Sequence, residues 1–279
     1  MGKCLYCMEK TGLFRKKHNG CEETFKEGSS KITSILINAI IYGTSYDTLL
    51  NRIKEISYNA YINNDQLKKI YIGCYEKAVS AFMNDNRLSV DEEINLLTFQ
   101  KFFGLSCDDL DAHGSFETVR KAGILRDLWE GRMTSDMKAY NETIYFNFLR
   151  DEKIIWFKNN VKYNEQRVKT HYEGGSMGVS IRVARGLYIR DNSFKGYPVK
   201  TTVMTYLDTG VFLITNKHIY FGSNTKNFRI KLENIVAVKP YSDGIGLQKD
   251  GVNSKPLLFV NLDGVFVFHV INYLNSFLH

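Results

Sequence analysis

The apolar residues of this chain change period once, and that change limits the fold more than any single motif. Before about residue 138 they recur every three to four positions; after about 141 they recur every second position. The first spacing places side chains on one face of a helix, the second on one face of a strand. Leu67, Ile70, Tyr71, Cys74, Ala78, Ala81 and Phe82 are predicted to share a helical face, with Cys74 as a packed core thiol. In LSVDEEINLLTFQKFFGLS, 88–106, Ser89 and Glu92 have capping-box spacing. Leu96, Phe99 and Phe103 continue that helix, and Gly104 suits its stop. The acids Asp91, Glu92, Glu93, Asp108, Asp109 and Asp111 fall mostly in first helical turns, where they complement the helix dipole. The stretch DNRLSVDEE is excluded as an EF-hand: it lacks the central Gly and carries Arg87 where an oxygen ligand belongs.

The second half reads as short strands separated by turn signals TNK, SDG, KDG and LDG. Strands are predicted at 179–190 with Gly186 as a bulge or bend, then at 211–215, 218–222, 228–232, 235–238, 244–248 and 257–262. A last helix is expected over 265–278, with Phe266, Val270, Tyr273 and Phe277 in one stripe and Val267, Ile271, Leu274 and Leu278 in a second. Two stripes imply burial on more than one side, or a helix that covers the β unit and also meets a second copy. The fold class is therefore α+β. A metal-binding module at 1–28 is followed by a helical domain at 29–138. An antiparallel β-barrel or sandwich at 139–279 is capped by the final helix.

The first module rests on three of the five cysteines. Cys4 and Cys7 form a C-x2-C pair, and His18 and Cys21 form an H-x2-C pair ten residues later. Zinc takes four N/S ligands in a tetrahedron, which two close pairs supply. Lys3, Lys16 and Lys17 flank them and favour thiolates. So short a segment has no core of its own, so the metal would fold it. Four protein ligands leave no open position, which predicts structural Zn2+ rather than catalysis. The alternative is inert surface cysteines in a frayed tail. An odd number of cysteines clustered at one end does not form a disulfide framework.

The 279 residues carry a net charge of +7. Residues 141–279 alone hold 18 basic and 11 acidic side chains, matching the whole excess. A basic half can meet an acidic protein patch, anionic lipid or nucleic acid, or simply be a soluble surface. The run SILINAII, 34–41, is too short to span a bilayer, and no signal-peptide apolar segment opens the chain. A cytoplasmic protein is expected.

Residues 208–238, DTGVFLITNKHIYFGSNTKNFRIKLENIVAV, resemble the core of PH-like domains of the GRAM and bacterial type. That resemblance implies about seven strands corked by a C-terminal helix, binding to lipids or protein segments, and no catalytic residues. Basic side chains near the early strands then become ligand candidates: Arg190, with Lys195 and Lys200 in a loop. The stretch EKAVSAFMNDNRLSVDEEINLLTFQKFFGLS, 76–106, is similar to TerB-like helical domains, which recur in bacterial stress response and phage defence. The combination resembles a family of uncharacterised bacterial proteins.

Sharper chemistry is set aside. Asp208-Thr209-Gly210 matches the aspartic-protease triplet, but no second copy follows and Val211 is not small; a tight turn accounts for it. HYEGGSMG, 171–178, leads into a strand rather than a helix, so it reads as a connector and not a phosphate loop. KIIWFKNNVKY, 153–163, interleaves basic and aromatic residues as a nucleic-acid stacking surface would, although a strand with one buried face explains it better. His113, His171, His218 and His269 have no catalytic neighbour at a usable spacing. Two function classes remain. One is a non-catalytic adaptor for protein or lipid partners, possible oligomer contacts running through the last helix. The other is a nucleic-acid binder using Arg15, Lys16 and Lys17 with the basic half.

Overall fold

The computed structural model describes residues 2–12, 15–133, 146–184, 187–251 and 254–277; the side chains of 171–184, 187–200 and 202 lie outside the description. The chain divides into two compact units, Met1–Gly131 and Arg132–His279.

The first unit is helical: α1 (Asn19–Tyr42), α2 (Asp47–Asn59), α3 (Asn64–Phe82), α4 (Val90–Phe102), α5 (Cys107–Asp111) and α6 (Ser115–Trp129). Residues four apart on α1, Ile32, Leu36 and Ile40, are fully buried together with Ile53, Cys74, Tyr75, Leu96, Phe99 and Leu110. The face foreseen on α3 is shifted: Tyr75 and Val79 are buried and Ala81 is exposed. Burial pushes the Cys74 thiol up to about 11, as a core thiol requires. Ser89 and Glu92 form the expected capping box, and Asn63 with Gln66 and Ser106 with Asp109 form two more. Gly104, at φ +61°, follows α4 in the left-handed conformation that favours glycine. Arg126 of α6 bridges to Glu93 of α4 at 2.7 Å. The helix α1 runs unbroken through residue 28, so the metal-binding segment continues directly into the helical core.

The second unit is a seven-stranded antiparallel sheet with a helix on it. Its elements are β1 (Ile154–Ala184), β2 (Leu187–Thr215), β3 (His218–Gly222), β4 (Asn227–Lys231), β5 (Ile235–Tyr241), β6 (Gly244–Lys249), β7 (Leu257–Val260) and α7 (Gly264–Ser276). The order is β4-β3-β2-β1-β7-β6-β5. Edge strands β4 and β5 do not pair, so the sheet is open where a closed barrel was one of the two expectations. Leu232–Asn234 turns the chain between those edges, and α7 packs on that turn, β5 and β6. Phe266 of α7 meets Trp156 of β1 with ring centroids 5.2 Å apart. Phe266, Val267, Val270, Ile271 and Leu274 are all buried within the unit. Among the described residues only Val265 on this helix and Phe277 at its C-cap remain as large exposed apolar residues there, so most of the apolar surface expected to serve oligomer contacts is spent internally. The LDG signal is the start of α7, with the Asp263 carboxylate accepting from Phe266 N–H.

Two sequence expectations are corrected here. First, β1 pairs with β7 only at Lys162–Glu165, and β2 with β3 only at Val211–Ile214. Beyond these the two strands continue as a two-stranded ribbon to Ala184 opposite Leu187, in constant register from Gln166 opposite Met204 to Arg182 opposite Tyr188 and with a shift after Arg182. At about 3.3 Å per residue the arm is about 60 Å long. HYEGGSMG therefore belongs to β1 rather than to a connector. Likewise Arg190, Lys195 and Lys200 belong to β2, opposite Ser180, Gly175 and Thr170, rather than partly to a loop. The ladder uses main-chain groups alone, so glycine- and serine-rich sequence joins it without alternation. Gly186 lies outside the described residues. The buried strand face preferred for KIIWFKNNVKY is observed: Trp156 is buried and unavailable for base stacking.

Second, Asp208-Thr209-Gly210 is not a turn but lies within β2. The Asp208 carboxylate accepts hydrogen bonds from Ser223 Oγ at 2.6 Å, Thr225 N–H at 3.2 Å and Thr225 Oγ1, which fastens the β3–β4 turn. Gly210 is required because a Cβ there would lie 2.1 Å from the Gly222 carbonyl oxygen. The Ser223 and Thr225 donors hold the Asp208 carboxyl down at about 2 from an ordinary 3.8. Its contribution to stability is therefore fully present above pH 3.8 and lost as pH falls through about 2. The stability difference between the native chain and Asp208→Asn should be constant above that window and shrink within it, read by chemical unfolding at successive pH values.

A matched pair of glycines tests the packing of the helical unit. A Cβ on Gly28 would lie 2.3 Å from the Ala60 Cβ, whereas one on Gly73 meets nothing within 4 Å. Gly28→Val should destabilise by about 1–3 kcal/mol. Gly73→Ala should stabilise by about 0.4–1 kcal/mol. The midpoint of urea unfolding followed by circular dichroism reads both.

Candidate metal centre

The first pair of ligands is set by a tight turn. Cys4 N–H donates to the Glu9 carbonyl at 2.8 Å, Met8 N–H donates to the Cys4 carbonyl at 3.1 Å, and Met8 takes a φ of +63°. A bridge between Lys3 and Lys10 closes the turn. The second pair is set by a helix start: His18 is the N-cap of α1 and Cys21 sits in its first turn. The positive end of the helix dipole favours a thiolate there. Two further ties join the pairs. Leu5 N–H donates to the Lys16 carbonyl at 3.0 Å, and the rings of Tyr6 and Phe25 approach to 5.0 Å.

These ties bring Cys4, Cys7, His18 and Cys21 together, with one ligand atom of each lying within 4.8 Å of the others. Cys7 Sγ and Cys21 Sγ lie 3.4 and 3.7 Å from His18 Nδ1. A tetrahedral zinc with bonds of about 2.3 Å to sulfur and 2.0–2.1 Å to nitrogen demands S···N edges of about 3.5–3.6 Å. The two observed distances bracket that value. The imidazole is aimed by its other nitrogen: Nε2 lies 3.2 Å from the Lys10 carbonyl oxygen, which only accepts. The proton is therefore on Nε2, and Nδ1 turns its lone pair toward the sulfurs, the tautomer a metal needs.

Electrostatics point to a cation. Burial works to raise the Cys4 thiol, but N–H groups of Tyr6, Cys7 and His18 directed at its sulfur bring it down to about 6. Burial and the neighbouring Cys7 and Cys4 sulfurs push Cys21 up to about 11. Three sulfurs this close cannot all hold negative charge unless a positive ion sits among them. The donor set, spacing and tautomer fit zinc, and all four positions would be filled by protein. Such an ion would fix residues 3–21 and offer no vacant position to a substrate.

The other candidates are placed as follows. Arg15, Lys16 and Lys17 are exposed beside the centre, with Lys17 Nζ 2.6 Å from Glu22. The side chains of Arg190, Lys195, Lys200 and His171 lie outside the description. Two histidines have partners that linear spacing hid. His113 Nδ1 is 2.7 Å from Glu76, and His218 Nδ1 is 2.7 Å from Glu152, which is fully buried. Glu152 also accepts from Tyr220 OH at 2.6 Å, Thr215 Oγ1 at 2.8 Å and Leu149 N–H at 2.6 Å. Burial acts to raise this carboxyl, but these donors outweigh it and hold it below the ordinary range. Glu152 lies 63 to 68 residues from its side-chain partners, so only the fold reveals the cluster.

No family model matches this chain, and no curated protein matches it. Among solved structures, one similar chain is in the crystal structure of the complex of PDZ-RhoGEF DH/PH domains with GTP-gamma-S-activated RhoA. Identity is 9%, over 93% of this chain and 73% of that one, with a TM-score of 0.23.

The chain purified without chelator is expected to carry one zinc per molecule by elemental analysis. Cys4→Ser and Cys21→Ser should each lose it. Chelation should expose residues 3–21 to protease while the Arg132–His279 unit stays protected.

Proposed function

We propose that this protein is a non-catalytic adaptor. In this reading the metal centre stiffens the start of the helical unit, and the β unit recognises an acidic protein surface or anionic lipid. The observation that carries it is the ribbon beyond the sheet. Residues 166–206 contain seven basic and two acidic residues, most of the net charge of +7. Along most of this stretch the outer main-chain edges of β1 and β2 pair with no third strand among the described residues. A basic, two-edged ribbon offers long-range attraction to acidic surfaces and a backbone template for an added strand. Arg190, Lys195 and Lys200 are the residues we assign to partner contact. The similarity of 76–106 to TerB-like domains supports a setting in stress response or phage defence, and the thiol-rich metal centre suits the reducing cytoplasm.

The same ribbon favours one second reading. The DNA major groove admits a two-stranded β-ribbon, and seven basic residues would bind phosphates with steep salt dependence. Affinity purification of the tagged chain from bacterial lysate, with and without nuclease, separates the two. A stoichiometric protein that survives nuclease and is lost from Arg190→Glu/Lys195→Glu/Lys200→Glu supports the adaptor. Material that disappears with nuclease overturns it in favour of a nucleic-acid module.

A further inference from the structure

A cavity of about 540 Å³ lies beside edge strand β4, walled on its other side by the end of β6 and the link after it. Three cations line it: Arg229 and Lys231 from β4 and Lys249 from β6, against the single carboxylate of Asp250. Lys231 is paired with Glu233 at 3.0 Å. Among the described residues no carboxylate pairs with Arg229 or Lys249. The floor is unusual in carrying His218, which lines the cavity and is only 4% exposed. Its Nδ1 faces the ionised, buried Glu152 carboxylate at 2.7 Å, so the proton of that bond belongs to the ring. Among the described residues its Nε2 has no hydrogen-bond partner. Nε2 is not one of the buried unpartnered atoms of the described residues, so it keeps accessible surface and can meet a ligand.

The same carboxylate accepts from Tyr220 OH, and that hydroxyl also faces Arg229. Glu152 thus anchors both the ring and the hydroxyl beside the guanidinium. A phosphate group matches what is left over: its charged oxygens take a fork from Arg and a point charge from Lys, and toward Nε2 it can accept from an imidazolium or donate a P–O–H to a neutral ring. A carboxylic acid or apolar ligand would leave part of that donor set unmet.

We propose that this cavity is a phosphate site, with Arg229 and Lys249 as donors and with His218, positioned by Glu152, donating from Nε2 as an imidazolium or accepting there from a phosphate hydroxyl as a neutral ring. It lies at the opposite end of β3 and β4 from the turn that Asp208 fastens, and it involves none of the ribbon residues. The site therefore stands or falls separately from the adaptor reading.

Titration of the full, metal-loaded chain with inorganic phosphate, followed by 15N resonances of the histidine side chains, should show a saturable shift at His218. Arg229→Gln and Lys249→Gln, both outside the core, should each weaken binding by about tenfold. Lys226→Gln, at the far end of β4, should leave it unchanged. A second arm uses phosphatidylcholine vesicles with and without phosphatidic acid. Sedimentation with the acidic vesicles, lost in Lys249→Gln, identifies a lipid headgroup as the source. Binding to inorganic phosphate alone identifies a soluble phosphate compound. Absence of a saturable His218 shift, or equal weakening by Lys226→Gln and Lys249→Gln, overturns the proposal.

Discussion

Three sulfurs and an imidazole nitrogen are gathered within 4.8 Å, a donor set and spacing that could hold a metal ion. Three local features make it: the turn at Cys4–Met8, the bridge at Lys3–Lys10 and the N-cap of α1 at His18. The consequence reaches past the ion. His18 and Cys21 belong to the same helix as Ile32, Leu36 and Ile40, so fixing the ligands fixes the register at which α1 enters its core. Gly28, against Ala60, lets the end of α2 approach that helix closely between the Cys/His cluster and the core.

The β unit depends on a different element. Strand β1 pairs with β2 along nearly its whole length and with β7 over four residues, so it joins the two halves of the sheet. Just before it stands Glu152, whose two oxygens gather donors from the end of β2, from β3 and from the loop preceding β1. A fully buried carboxylate with four donors is stable; the same carboxylate stripped of donors would be among the most costly groups in the unit. The Glu152 cluster, Asp208 at the opposite end of β3 and the Trp156–Phe266 contact under α7 hold the open sheet in shape where closure by hydrogen bonds is missing.

Much of this was legible in the residues. The capping box at Ser89 and Glu92, the strand at His218–Gly222 and the C-terminal helix were all read from local pattern, because each is decided by neighbours a few positions apart. The Cys/His cluster was legible because two short pairs carry their own spacing. What escaped was non-local. Glu152 and His218 are 66 residues apart, and no spacing rule links them. The outer half of β1 escaped because Gly174, Gly175 and Gly178 erase the alternation that marks a strand, while main-chain pairing proceeds without it. Asp208 was misread for the opposite reason: a familiar triplet suggested a turn, when the carboxylate is used to fasten a turn fifteen residues later. The open seam between β4 and β5 follows from how α7 and the Leu232–Asn234 turn fill space, which one-dimensional pattern does not encode.

The central claim is a closed four-ligand metal centre, and zinc K-edge X-ray absorption on the purified chain tests it most directly. The account predicts three sulfurs at about 2.3 Å and one nitrogen at about 2.0–2.1 Å, with no exchangeable oxygen ligand. A coordinated water, fewer than three sulfurs, or no bound metal with a disulfide among Cys4, Cys7 and Cys21 would contradict it.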